Sequence, residues 1–221
     1  MRLTFNLAAT SDAPDVAFLR NAASADLVAR FGPGPWQARC TELGVLADLR
    51  PSSVGLRQVD AEERGAEASR QPSEDALLLS AGPGQRLPHA NRGRPVAARR
   101  PAPPAATCSI FLARAAGELI ATFRLATKKP WAIDRAFFTP VPRPLYLTTM
   151  AVAPARQRQG IGRQCLAHAF SVARAWPAHS LCLDAYAASA GAGEFYRKCG
   201  FRSVGQANYR GVPLLYFEAL L

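Results

Sequence analysis

Lysine is scarce in this strongly basic chain: Lys128, Lys129 and Lys198 are the only lysines among 27 basic residues, and the formal net charge is +11. A basic excess of this size admits a nucleic-acid partner. The arginines are spread along the chain rather than gathered in one stripe, so charge alone does not name one. Cysteine pairs at short spacing are missing too. Cys40, Cys108, Cys165, Cys182 and Cys199 are odd in number, far apart and free of any Cys-x-x-Cys pattern, which suggests neither a disulfide framework nor a zinc site. They are expected to act as small buried apolar residues. His89, His168 and His179 are not at metal-ligand spacing, so no metal is expected. No uncharged apolar run reaches the roughly 18 residues of a membrane helix, and residues 1–7 lack the basic start and apolar stretch of a signal peptide. A soluble cytoplasmic protein is the expectation, with no membrane partner. What is present is core material: 49% of the 221 residues are apolar, enough for one domain with an extension.

Residues 3–7 alternate apolar and polar, as a half-buried strand does. Asp12, Pro14 and Asp15 then signal a helix start, and Val16, Leu19, Ala23 and Leu27 form one apolar face to about residue 30. Gly32-Pro33-Gly34-Pro35 breaks the chain before a second helix predicted over 36–49. Further on, 109–113 and 119–126 read as a hairpin turning at Gly117, 145–152 as a strand stopped by Pro154, and 162–176 as a helix ended by Pro177. A strand over 180–186, a short helix over 192–199 closed by Gly200, and a last strand over 212–219 complete a mixed α/β order.

Between these parts the composition changes. Residues 51–107 hold eight of the chain's 18 prolines, with Arg92, Arg94, Arg99 and Arg100 close together. Such a segment buries too little apolar surface to offset its ordering entropy. We expect three parts: 1–50 and 108–221 forming one domain, and 51–107 a disordered insert, with 76–79 an isolated strand or helical turn. The insert reads as a solvated linker or as an arginine-rich arm touching nucleic acid or an acidic partner.

The chemistry is concentrated in the strand-loop-helix from Met150 to Arg163. A glycine loop entering a helix presents unobstructed backbone N–H groups where the helix dipole is positive, which suits a pyrophosphate. Gly160 and Gly162 remove the Cβ atoms that would hold phosphate oxygens away, and Arg156, Arg158 and Arg163 add attraction. The loop lacks the Gly-Lys-Ser/Thr ending of a Walker loop and the third glycine of a dinucleotide fingerprint.

Gln157-Arg158-Gln159-Gly160-Ile161-Gly162 resembles the Gln/Arg-x-x-Gly-x-Gly/Ala loop of the GNAT acetyltransferase superfamily. Met150 to Pro154 is similar to the strand before that loop, and Phe195-Tyr196-Arg197-Lys198-Cys199-Gly200-Phe201 to the family's "FYxKxGF" helix end. The resemblance is close over 109–221, loose over 3–36, and does not include 51–107.

It implies a twisted, mostly antiparallel central sheet flanked by helices and splayed between the strands ending at Val152 and starting at Ser180, where acetyl-CoA enters. It implies acetyl transfer from acetyl-CoA to a primary amine in a ternary complex, the acceptor a small molecule or else a protein amine. By position, Met150 N–H would hold the thioester carbonyl and Val152 the pantetheine, residues 157–163 (Gln157, Arg158, Gln159, Gly160, Ile161, Gly162, Arg163) the pyrophosphate, and Tyr196 would protonate the departing thiolate. Ser189 stands where the family often has an asparagine bonding pantetheine, with shorter reach. The strand before the loop carries no carboxylate. Asp184 is the nearest candidate base, Glu42 and Asp134 are outside candidates, and a water chain is the alternative. Trp36, Trp131 and the Lys128-Lys129 pair read either as packing or loop residues or as parts of the acceptor side. The competing reading is a non-catalytic acyl-CoA-binding or regulatory module whose arginine-rich arm contacts nucleic acid.

Overall fold

The computed structural model describes residues 2–49 and 108–221, and the expectations placed on 51–107, including the strand or turn at 76–79, His89 and the arginine-rich arm, lie outside them. The elements are β1 (Thr4–Leu7), α1 (Ala13–Phe31), α2 (Glu42–Leu49), β2 (Cys108–Ala115), β3 (Glu118–Ala126), β4 (Pro144–Val152), α3 (Ile161–Ala175), β5 (Ser180–Tyr186), α4 (Gly193–Lys198), β6 (Arg202–Tyr209) and β7 (Val212–Leu220). One seven-stranded sheet runs β1-β2-β3-β4-β5-β7-β6. Every pairing is antiparallel except β4 with β5.

Strand alternation divides the core between the two faces. Phe111, Phe123, Leu145, Leu147, Leu181, Leu183 and Phe217 point to one face, where α3 lays Cys165, Leu166, Ala169 and Ala173 against them. Each fully buried Leu or Phe side chain among them contributes roughly 1.5–3 kcal/mol. On the opposite face Ile110 and Leu112 meet Ala13, Val16 and Ala17 of α1 and Val45 of α2. Further along that same face, Tyr146, Cys182, Leu214 and Tyr216 meet Ile133 and Phe138 of the long β3–β4 connection. All five cysteines are free, two of them fully buried.

Two expectations need correcting. The second helix begins at Glu42, not residue 36: Pro35–Gln37 form a separate 3₁₀ turn, and Thr41 Oγ1 accepts the Gly44 N–H at 3.1 Å as the helix cap. The expected order also lacks a strand: Arg202–Tyr209 form β6, and the turn to β7 is confined to Arg210 and Gly211. As the outer strand of the sheet, β6 needs no continuous apolar face, and its Arg202, Ser203, Gln206 and Asn208 hid it.

The β3–β4 connection is tied to the sheet by a buried carboxylate. Glu218, 1% exposed, accepts from Thr139 N at 2.8 Å, Thr139 Oγ1 at 2.6 Å and Arg202 Nη2. Burial pushes this carboxyl up, but the two Thr139 donors and the Arg202 guanidinium outweigh it and hold it below the usual carboxylate range. Tyr216 Oη donates to the Ala132 carbonyl, and Lys129 Nζ to Pro130 O at 3.1 Å and Ile133 O at 2.7 Å. Lys129 is thus a loop brace rather than a free charged tip. Glu218→Gln, which keeps one acceptor oxygen but turns an amide toward Arg202, is expected to cost about 2–3 kcal/mol in urea unfolding. Because the folded carboxyl titrates low, the wild-type contribution is present above the unfolded pKa and is lost as pH falls through the folded one. The variant should therefore lose less stability than wild type between neutral and acid pH.

Candidate active site

The β4–β5 pairing is short. Only Pro144, Leu145 and Tyr146 pair, with Ser180, Leu181 and Cys182, and beyond them the two strands separate. The separation coincides with an irregularity in β4: the β3 register shifts between Thr122 and Arg124, and Thr149 takes φ 47°. A β-branched residue in the left-handed region is strained by of order 1–3 kcal/mol, so the rest of the sheet must hold it there. Past the bulge, β4 through Val152 pairs with β3 alone.

Immediately after β4 the chain makes a 3₁₀ turn at Pro154–Arg156 and enters α3 through Gly160, the helix N-cap, at φ 78°. Arg158 is also left-handed at φ 62°, and with Gly160 and Gln159 it is exposed. Gln157 braces the loop: Nε2 donates to Val152 O at 3.2 Å, and Oε1 accepts from Arg30 Nη1 at 3.4 Å. Gln159 Nε2 donates to Ala155 O at 3.1 Å, Arg156 pairs with Glu118 at 3.0 Å, and Arg163 is exposed on the first turn of α3. A Cβ built on Gly160 meets no atom within 4 Å, whereas one on Gly162 comes 3.0 Å from Phe195 Cζ and 3.5 Å from Met150 Cε. Gly162 therefore packs α3 against α4 and β4, while Gly160 leaves open the space in front of the helix N-terminus.

This geometry sharpens a test of the loop. Gly160→Val adds a strained left-handed residue, costing about 1–2 kcal/mol, and fills that open space. Acetyl-CoA affinity by calorimetry should fall at least about 100-fold, since the donors at a helix N-terminus become obstructed. Gly160→Asn tolerates the same φ far better and separates strain from obstruction. Unchanged affinity in a folded valine variant would remove the loop from the binding site.

Tyr196 is 9% exposed on α4, with Phe195, Phe201 and Phe217 at ring distances of 5.3, 5.7 and 5.9 Å. Burial first, then the Asp184 and Cys199 charges, push its phenol far up, so it stays protonated. Asp184 lies mid-β5, opposite Tyr216 of β7 and on the face that carries Cys182 and Tyr186. Burial raises its carboxyl above the ordinary range. The phenol of Tyr186 is raised by burial and by the Asp184 charge. Trp36 meets Tyr186 edge-on, centroids 5.7 Å apart, with its Nε1 donating to Gly32 O at 3.1 Å. Neither the sequence periodicity nor the motif revealed that contact between the α1–α2 connection and β5.

The remaining candidates are not drawn to this place. Ser189 is exposed on the turn after β5, where Gly191 is obligatory because a Cβ would sit 1.9 Å from Tyr186 O. Glu42 is exposed at the start of α2, and Asp134 accepts the Ala136 N–H at 3.0 Å as a cap. Trp131 is 83% exposed. His168 stacks on Phe5 at 4.2 Å, its pKa lowered by burial. Among the described residues no group of three or more His, Cys, Asp or Glu could hold a metal ion, and no helix is long and apolar enough to cross a membrane.

Residues 106–203 match the family model described as "Acetyltransferase (GNAT) domain". Over that stretch the chain is similar to the acetyltransferase domain of the GNAT superfamily, a class whose chemistry is acetyl transfer. No curated protein matches the sequence. The fold is similar to the ribosomal-protein-S18-alanine N-acetyltransferase from Escherichia coli (15% identity, TM-score 0.57, covering 99% of this chain and 94% of that one). It is also similar to the ribosomal-protein-alanine N-acetyltransferase from Brucella melitensis (16%, TM-score 0.55, 99% of both chains). A third similar structure, from Salmonella typhimurium, is described with its cofactor acetyl-CoA (13%, TM-score 0.54, 99% of this chain and 94% of that one). At such identities the likeness establishes the fold.

Proposed function

We propose that this protein transfers the acetyl group of acetyl-CoA to a primary amine by direct attack in a ternary complex. The observation that carries the reading is the parting of β4 from β5 beside a glycine loop at a helix N-terminus. The unpaired edge of β4 can take the amide groups of a pantetheine arm, with Met150 N–H directed at the thioester carbonyl and Val152 bonding the arm. The N–H groups of 158–163 receive the pyrophosphate, with the Gln157 side chain bracing the loop.

The acceptor approaches from the Asp184 face. An amine must be neutral to attack, and a carboxylate whose proton affinity burial has raised is a better base than a solvated one. Asp184 takes the proton as the nitrogen attacks; the carbonyl oxygen gains charge against Met150 N–H; the C–S bond breaks, and Tyr196 protonates the sulfur. Trp36 and Tyr186 wall the acceptor side above Asp184.

Free thiol released from acetyl-CoA across an amine panel tests the reading directly. Amine-dependent release with mass gain on the acceptor is expected, with initial-rate patterns of a ternary complex. Release without acetylated acceptor, or a stable acetylated protein intermediate, would overturn direct transfer.

A further inference from the structure

Under α1, on the sheet face that carries Asp184, the described residues leave a guanidinium without an ion pair. Arg124 of β3 is fully engaged: Nε donates to Cys108 Sγ at 2.9 Å, Nη1 to Thr148 Oγ1 at 3.4 Å, and Nη2 pairs with Asp48 Oδ1 at 3.4 Å. Arg20, from the middle of α1, belongs to the same cluster, since its charge acts on the Cys108 thiol together with those of Arg124 and Asp48. Yet among the described residues Arg20 Nε and Nη2 are buried without a hydrogen-bond partner, and so is Thr122 Oγ1 of β3. Among the described residues Asp48 pairs with Arg124, and no carboxylate is paired with Arg20. Leaving a buried donor unpaired costs about 1–3 kcal/mol, and more when it is charged.

The orphaned atoms have a shape. Nε and Nη2 make the side-on edge of a guanidinium, two parallel donors matched to the two oxygens of one carboxylate. The Arg20 charge, in no ion pair among the described residues, matches a monoanion. The cluster also reaches the site: Thr148, held by Arg124, immediately precedes Thr149, where β4 bulges and leaves β5.

Resting on the acetyl-transfer reading above, we infer that Arg20, backed by Arg124, is a carboxylate-recognition subsite, so that the amine acetylated here carries a carboxylate on the same molecule, as amino acids do. Acceptor choice would then be set by α1 and β3, away from the cofactor loop.

The test uses the full chain with amino acids, their carboxamides and phosphoethanolamine as acceptors, reading thiol release, and measures acetyl-CoA binding separately by calorimetry. Amino acids should exceed their carboxamides in kcat/KM by at least about 100-fold, because the neutral amide leaves the guanidinium unpaired. In Arg20→Gln that ratio should collapse toward one, chiefly through KM for the amino acid. Arg20→Lys, with the charge but not the paired donors, should fall between. The wild-type ratio tests carboxylate recognition even if the variants fold poorly, and the variants assign it to Arg20. Equal use of acids and amides by a protein that binds acetyl-CoA, or preference for phosphoethanolamine, overturns the carboxylate subsite while acetyl transfer stands. Failure to bind acetyl-CoA overturns both.

Discussion

Asp184→Asn should lower turnover by about 10² to 10⁴, the usual contribution of a positioned base, and should raise the melting temperature at the same time. The second effect follows from the first residue's environment. Burial raises the folded carboxyl above its ordinary range, so the folded chain holds this proton more tightly than the unfolded chain does. The stability it contributes is complete below the unfolded pKa and is lost as pH rises through the folded pKa. At neutral pH the carboxylate is therefore a cost that asparagine removes. The acid limb of kcat/KM in the wild type should lie above the range of a solvated carboxylate, and it should vanish in the variant. A folded variant with wild-type turnover would hand the base role to water, and a fall in melting temperature would make Asp184 a structural residue.

Tyr196→Phe should also lose about 10² to 10⁴ in turnover, with acetyl-CoA affinity nearly constant. The ring is what Phe195, Phe201 and Phe217 contact, and phenylalanine keeps it, so thermal stability should change little. Because the phenol is pushed far above its ordinary pKa, it remains a donor throughout the working pH range and should contribute no basic limb to the profile. The defect should ease with thioesters of more acidic leaving thiols. Wild-type turnover on a verified acceptor would return Tyr196 to a purely packing role.

Local chemistry was legible from the chain where backbone conformation and residue type coincide. Gly160 and Gly162 announced a loop stripped of Cβ atoms, and the structure gives Gly160 the left-handed φ that such a loop needs. The apolar face of α3 is written in the three- and four-residue spacing of Cys165, Leu166, Ala169 and Ala173, which lie against the sheet. An outer strand with polar side chains has no such signature, which is why β6 was missed. Asp184 could be named as a nearby carboxylate, but its sheet face and raised proton affinity depend on which strands flank it. Arg20 went unremarked for a similar reason. A sequence shows which donors exist; only packing shows which ones lack an acceptor.

The three-residue pairing of β4 with β5 means that this fold is incompletely closed on its own. If acetyl-CoA completes that seam, the free energy of keeping the chain folded is not a property of the polypeptide alone. A ligand that binds only the folded form adds RT ln(1 + [L]/Kd), about 2.7 kcal/mol at a hundredfold excess over Kd. The lifetime of the protein against unfolding and proteolysis would then rise and fall with the supply of activated acetyl groups, so that abundance, and not only rate, follows the metabolic state that feeds the reaction.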